Sequence, residues 1–278
     1  GVIEIANFAK HEFQGAESRS FLNYILAGKI PQPGRIILNP MLTPKGRLYG
    51  DLTVACLSEN KFLIFGSGAV QEMHRRWFEI HIGNFDVTYN NRSDDLHGLA
   101  LSGPKSRKLL QKLIRENISN ENFKFRDVRE IYVGSIPAIV NRISFTGELG
   151  YEIYVAPHFQ LKLYEEMEVA GKEFNLKPFG SRALMSMRLE KNWGAWTLDF
   201  RPDFTAAESG LDLFINWDKE FIGKEAALKE KQEGPKKKLI TMTIETKDID
   251  VTGDEAIMKD GKCVGYITSG GYAHHVKK

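Results

Sequence analysis

Cysteine is nearly missing from this sequence, and two classes of protein go with it. Cys56 and Cys263 are the only two in 278 residues. They are too few for a disulfide scaffold and too far apart for a metal-ligand spacing, so both read as free thiols in a reducing compartment. No apolar run approaches the roughly 18 residues of a membrane-spanning helix, and the N-terminus has no basic-then-apolar leader. Charge of one sign is scarce as well: 38 Lys and Arg stand against 36 Asp and Glu, a formal net charge of +2. That balance creates no field that would draw the chain to nucleic acid or a membrane surface, while a small anionic ligand remains compatible with it. An initiator methionine is also lacking, and Gly1-Val2-Ile3-Glu4-Ile5 reads as a strand from the first residue. The chain is therefore expected to be part of a longer protein.

Several chemical motifs are absent or incomplete. Gly66-Ser67-Gly68 follows an apolar strand and precedes a helical pattern, but Gln71 stands where a dinucleotide fingerprint needs its third glycine. No G-x-S-x-G elbow supports a hydrolase triad, and no H-E-x-x-H supports a zinc site. His274 and His275 are adjacent, and neighbouring side chains on a strand point to opposite faces, so they read as tail rather than as a shared metal site.

What is present is an ordinary globular composition, 42% hydrophobic and 27% charged, long enough for two or three small cores. A helix is expected over residues 16–27, with Leu22, Ile25 and Leu26 on one stripe. Pro44 and Gly46 supply a hairpin turn between Met41-Leu42 and a strand from Leu48. Further strands are expected at 61–65, 86–89, 96–101, 128–133, 138–145, 151–155, 239–244 and 263–268. Helices are expected after Gly68, after Ser102-Gly103-Pro104 with Ser102 as cap, over 159–173 and 181–190, and after Gly223. Lys236–Lys238 reads as a solvated linker after Gly234-Pro235. Hairpins and helices mix without regular β-α-β alternation, which favours an α+β fold with antiparallel sheets.

One stretch carries chemistry: Ser144-Phe145-Thr146-Gly147-Glu148-Leu149-Gly150-Tyr151-Glu152-Ile153-Tyr154. Two glycines three apart permit a positive φ or a close backbone approach. An aromatic, Phe145, stands before the turn, and a carboxylate, Glu152, stands after it on a strand. A planar heterocycle can stack on the first and donate to the second, and a pterin edge offers such a fork of N–H donors. A decorated hairpin with Glu152 exposed is the alternative that these residues leave open.

The stretch resembles the signature of the aminomethyltransferase family, the glycine-cleavage T-proteins and their relatives. Other segments resemble family motifs in the same order. They are Met41–Arg47 with Asp51-Leu52-Thr53, Leu101–Pro104, Met187–Lys191, Phe221–Ala226 and Thr268–Gly270. Within the family, Gly1–Lys10, His74–Trp77 and Phe123–Phe125 look most like the folate-binding C-terminal half of dimethylglycine dehydrogenases. The resemblance implies a multidomain cloverleaf with flanking helices and a final β-barrel cut short. The domains expected are a folate-binding unit over 1–50 and 138–210, a second α+β unit over 51–137 and 211–232, and an incomplete β unit over 233–278.

For the site, the resemblance implies tetrahydrofolate contacts at Asp51, Leu52, Thr53, Phe145, Glu152, Ile153, Tyr154 and Leu213. Relatives often carry Tyr at the positions of Phe145 and Leu213, so a hydroxyl is missing at both. The family's catalytic Asp has no counterpart in the helix after Gly68, where counting gives Met73 or His74. His74 is the candidate base, with a helix-surface structural role equally open and Asp51 as the alternative carboxylate. The chemistry implied is capture by folate of a one-carbon unit from an N-methyl amine, forming 5,10-methylene-tetrahydrofolate. FAD is expected only in a preceding domain, supplied in cis or in trans. A stand-alone aminomethyltransferase or demethylase of a small methylated solute remains open. A non-catalytic folate-binding module, like the family's iron–sulfur assembly relatives, is disfavoured because Gly223-Lys224-Glu225 lacks their Cys. The compartment expected is the bacterial cytoplasm, or the mitochondrial matrix in a eukaryote.

Overall fold

A computed structural model describes residues 1–278. The chain opens with β1 (Val2–Glu4), β2 (Ala9–Gln14), α1 (Ser18–Ile25), β3 (Arg35–Leu42), β4 (Leu48–Ser58) and β5 (Lys61–Gly66). It continues through α2 (Gln71–Ile82), β6 (Thr88–Asn91), β7 (His97–Ser102), α3 (Ser106–Gln111), β8 (Val128–Val133), β9 (Ile136–Asn141) and β10 (Gly150–Val155). Next come α4 (Gln160–Gly171), α5 (Ser181–Glu190) and α6 (Lys224–Glu233), and a hairpin of β11 (Ala256–Lys259) and β12 (Lys262–Tyr266) closes the chain.

Two antiparallel five-stranded sheets organise the molecule, in the orders β1-β7-β10-β9-β8 and β3-β4-β5-β2-β6. Strand alternation gives each sheet two apolar faces. In the first sheet Tyr151, Ile153 and Val155 point to α3 and α4, where Leu109, Leu110, Leu163 and Met167 meet them. In the second, Leu52, Val54 and Cys56 point to α1 and α2, against Phe21, Leu22 and Phe78. The opposite faces meet each other: Tyr154 packs with Ile36, Ala55, Leu63 and Phe65. The result is a helix–sheet–sheet–helix stack. A further lobe of Trp196, Phe200, Leu211, Phe221 and Ala227 packs against Leu42 and Leu48 at the β3–β4 hairpin.

Helix α1 is shorter than expected and has no side-chain cap at Glu17. It is held instead by its stripe, since Phe21, Leu22 and Ile25 are essentially unexposed and each contributes about 1.5–3 kcal/mol of burial. Its carbonyl end is closed by Lys219, whose Nζ donates to Asn23 and Leu26.

Three expectations need correction. The domain boundaries expected at 50/51 and 137/138 fall inside β4 and β9. Residues 9–91 build one sheet, whereas β1 leaves its sequence neighbours and pairs with β7 through Val2↔Leu101. Alternation makes a strand but does not choose its partner, and that choice is non-local. Ser102 ends β7 rather than capping a helix; α3 starts four residues later, and there Ser106 Oγ donates to the Leu149 carbonyl at 2.9 Å. The strand expected at 239–244 has no ladder, and Ile240, Met242 and Ile244 are exposed. Without a partner strand the alternating pattern has nothing to pair with.

Candidate functional site

The turn between β9 and β10 uses its two glycines differently. Gly147 adopts φ +82°, and a Cβ there would come within 3.1 Å of the Lys191 side chain. Gly150 is extended, but a Cβ on it would sit 2.8 Å from Ser144 Cβ and 3.1 Å from the Leu101 carbonyl. One glycine supplies the left-handed bend and the other the close approach. Within the turn Ser144 Oγ and Thr146 Oγ1 are 2.8 Å apart, and the Thr146 amide donates back to Ser144 Oγ at 3.2 Å. The space left by Gly147 lets Lys191 reach over, so that its Nζ donates to the Ser144 carbonyl at 2.7 Å and lies 5.2 Å from the Trp193 ring centroid.

Glu152 and Tyr154 leave β10 on the face toward the second sheet. The Tyr154 hydroxyl donates to Glu152 Oε2 at 3.1 Å, and its ring stacks on Phe65 with centroids 4.6 Å apart. Glu152 is half-buried and lines a concavity with Phe8, Ala100, Phe145, Thr146 and Leu184. Burial pushes its carboxyl up to about 7, against the Tyr154 hydrogen bond and the Lys191 charge, which both pull it down. Glu152 has no ion-pair partner within 4.0 Å, so a carboxylate with free acceptor capacity sits among apolar and aromatic walls.

Phe65 is cross-strand from Thr53, which puts Thr53 and Asp51 on the face that looks toward β10. Asp51 is half-buried, and burial pushes its carboxyl up to about 7 against the pull of a backbone N–H. The pleat sends Leu52 the other way, into the core beneath α1 and α2, just as Ile153 points into the core beneath α3 and α4. Of the expected contacts, Asp51, Thr53, Phe145, Glu152 and Tyr154 thus have side chains on the inter-sheet side, and Leu52 and Ile153 do not. Leu213 sits on a short turn at 212–214 and is 74% exposed, outside this group.

His74 is not brought to the site. It lies in α2 on the far side of the second sheet, fully buried, with Nε2 2.9 Å from the Tyr49 carbonyl and 3.2 Å from where a Cβ on Gly50 would stand. Gly50 and Asp51 are successive strand residues, so their substituents point to opposite faces. Burial lowers the His74 imidazole to about 4, against the Tyr49 carbonyl, which holds it up. It is a neutral core histidine beside His11, at a ring distance of 6.3 Å. The tail pair separates as expected of adjacent residues: His275 Nδ1 lies 2.6 Å from Glu190, and His274 packs edge-on to Tyr272.

Sequence reading missed Lys191 and Asn141 as parts of this neighbourhood. Lys191 stood at the end of a recognised motif. Asn141 gave only the weak signal of an amide in an apolar strand, and it is fully buried opposite Glu152 in the β9–β10 ladder.

Comparison with known proteins follows the same lines. The GCVT N-terminal domain family matches residues 1–219, and the glycine cleavage T-protein C-terminal barrel domain family matches residues 237–278. The chain is 39% identical over 282 residues to mitochondrial dimethylglycine dehydrogenase of Homo sapiens, covering 100% of this chain and 32% of that protein. It is 30% identical over 282 residues to the aminomethyltransferase of Thermoanaerobacter pseudethanolicus, covering 100% of this chain and 76% of that protein. The chain therefore spans about a third of the dimethylglycine dehydrogenases it matches. In fold, it superposes on the glycine cleavage system aminomethyltransferase T of Bartonella henselae with a TM-score of 0.86 at 20% identity, covering 100% of this chain and 75% of that one. A heterotetrameric sarcosine oxidase from Corynebacterium sp. U-96 matches 64% of this chain and 87% of its own with a TM-score of 0.51 at 17% identity.

Proposed function

This chain belongs to the aminomethyltransferase family of glycine-cleavage T-proteins, and from that premise we propose that it binds tetrahydrofolate and loads a one-carbon unit onto it. Its fold is the α+β, antiparallel architecture of that family, with a short C-terminal barrel domain. The observation that carries the proposal is Glu152. Its carboxylate has spare acceptor capacity, one fixed donor in Tyr154, and a concavity walled by Phe8, Phe145 and Leu184 in front of it. Those residues fit a flat ring whose edge donates N–H groups.

Bound here, tetrahydrofolate would supply the N5 and N10 nucleophiles for uptake of the one-carbon unit, giving 5,10-methylene-tetrahydrofolate with water leaving when formaldehyde is the donor. In this reading Glu152 anchors and orients the pterin, while Phe145 stacks on it and Tyr154 fixes the carboxylate. Asp51, on the facing sheet, holds or accepts a proton near neutral pH. The sheets and the Ser144–Gly150 turn contain the reactive carbon and keep water away from it. The dehydrogenase-like form of this function, with a flavin domain oxidising an N-methyl amine, is supported by the 39% identity to dimethylglycine dehydrogenase across the whole chain. FAD belongs to that preceding domain in this reading. The 30% identity to aminomethyltransferases supports the stand-alone alternative at the same site. A flavin domain encoded directly before Gly1 discriminates between the two.

Titration of tetrahydrofolate against wild type and Glu152→Ala tests the anchor; equal affinity overturns it. Asp51→Asn is expected to slow single-turnover capture of formaldehyde by bound folate roughly 100-fold while leaving folate affinity within about twofold. An unchanged capture rate removes Asp51 from the chemistry.

A further inference from the structure

Glu152 has a neighbour whose state the fold alone does not explain. Asn141 stands directly opposite it in the β9–β10 ladder and is 0% exposed. Directly opposed side chains share a face of a sheet, with Cβ atoms about 4.5–5.5 Å apart. The rest of this row is apolar: Ala100 flanks Glu152 on β7, and Val128 flanks Asn141 on β8. Neither Nδ2 nor Oδ1 of Asn141 has a hydrogen-bond partner. Buried amides are almost always paired, because one left unpaired loses its hydration for nothing in return. An apolar side chain would serve this position better if packing were its only task.

The geometry around Glu152 shows what the amide is for. Tyr154 holds Oε2, and Oε1 has no donor. The ionisable groups around the carboxyl are Tyr154 on its own strand and Lys191 after α5, with Asp51 of β4 and Lys10 of β2 on the facing sheet. Lys191 is committed to the Ser144 carbonyl and the Trp193 ring. Lys10 donates to the carbonyls of Ala6 and Ser93. No cation is therefore free to pair with Glu152, and the Asn141 amide is the neutral donor within reach. Its approach already acts on the carboxyl as a weak side-chain hydrogen bond, too loose to satisfy the amide, and lowers the carboxyl's proton affinity. A ring edge made of N–H donors needs the carboxylate as an anion, since a protonated carboxyl would present a donor to donors.

Resting on the folate reading above, we infer that Asn141 is a positioning residue. When the pterin occupies the concavity, the Asn141 side chain turns so that Nδ2 donates to Glu152. The carboxylate is then fixed as an anion between Asn141 and Tyr154, and its proton is released to solvent. The unpaired amide of the free protein is the cost of that arrangement, and binding removes it.

The experiment is calorimetric titration of tetrahydrofolate under argon, from about pH 6 to about pH 8.5, with wild type, Asn141→Leu, Asn141→Ala and Glu152→Ala. Wild-type affinity is expected to rise with pH through the Glu152 transition near 7. Asn141→Leu is expected to bind roughly tenfold more weakly at the alkaline end, where only the bound-state contact to the carboxylate is lost, with no greater loss at the acid end. The same substitution should raise the melting temperature of the folate-free protein, because it removes an unpaired buried amide. Equal affinity at every pH together with a lower melting temperature would reduce Asn141 to a packing residue and overturn the inference. A loss confined to the acid end would mean that Asn141 acts on the carboxyl before the ligand arrives, and an equal loss when Asn141→Leu is added to Glu152→Ala would mean direct contact with the ligand; either would overturn the inference. If Asn141→Leu does not fold, Asn141→Ala is read by its pH profile alone. Absence of binding by wild type would sink the folate reading itself, and that result is visible without any Asn141 variant.

Discussion

His74 and Asp51 show at the residue scale how one step along a strand separates chemistry from packing. Gly50 faces His74 and α2, and Asp51 faces the other sheet. His74 therefore works as a buried neutral imidazole together with His11, which burial and the nearby His74 lower to about 3. Both folded-state values lie below the ordinary histidine value near 6.5. The unfolded chain thus binds more protons than the native one once the pH drops below that value. Stability from the pair is fully present above about pH 6.5 and is lost progressively toward pH 3–4. Urea unfolding should show about 2–4 kcal/mol less stability at about pH 5 than at about pH 7.5 from these two groups. His74→Gln, which keeps a donor for the Tyr49 carbonyl, should remove about half of that slope and leave formaldehyde capture per folded molecule unchanged. A slower capture rate in His74→Gln would restore the histidine to the mechanism. Nothing in the residue string distinguishes the two roles of His74, because the distinction lies in which side of a sheet the helix packs.

At the scale of elements, the Ser144–Tyr154 stretch was legible because its logic is local. A left-handed glycine, a close-approach glycine, an aromatic and a strand carboxylate follow one another within eleven residues of sequence. Gly147→Ala is the change that attacks this element alone. It forces a Cβ onto φ +82° and against the Lys191 stem at 3.1 Å. The cost expected in thermal or urea unfolding is about 1–2 kcal/mol, accompanied by weaker tetrahydrofolate binding as Lys191 and Ser144 shift. Unfolding parameters identical to wild type would show that the turn relaxes freely. Other elements were less legible for a stated reason. Residues 239–244 alternate like a strand yet pair with nothing, and β1 alternates but pairs with β7 rather than with its sequence neighbours. Pattern gives an element its faces, and only a partner gives it hydrogen bonds.

At the scale of the whole molecule, a buried polar knot ties Thr268 and Ser269 to α5, beside the outer contacts of Tyr266 with Arg201, Tyr272 with Ser186 and His275 with Glu190. Arg188 of α5 is 1% exposed and pairs with Asp199 at 2.5 Å. Asp199 also accepts from the Ala195 amide, Thr268 and Ser269, and Arg188 donates to Ser269 and to the Trp193 carbonyl. The C-terminal hairpin region is thereby fastened to α5. Asp199→Ala leaves the guanidinium buried without its counter-charge, which typically costs about 3–5 kcal/mol. Limited proteolysis should then cut the 250–278 region well before the two-sheet body. Cleavage at the wild-type rate would mean that the knot does not hold the hairpin. Thr268-Ser269-Gly270 stood out in the sequence as a family motif, but its attachment to Arg188 across 81 positions was not readable from it.

The sequence by itself determined what depends on neighbours along the chain. That covers the α+β character, most strands and helices, the hairpin at Pro44-Lys45-Gly46, the glycine turn and the pairing of Phe145 with Glu152. It also carried the family, because those local motifs fall in family order from end to end. Tertiary structure alone decided which sheet each strand joins, that Asp51 and Thr53 look toward Tyr154 and Glu152 while Leu52 and Ile153 do not, and that His74 lies in a core. It also set an unpaired Asn141 beside the carboxylate. These are consequences of pleat parity combined with long-range pairing. A shift of one residue in register would exchange the faces to which Asp51, Leu52, Thr53, Glu152 and Ile153 point without altering a letter of the sequence.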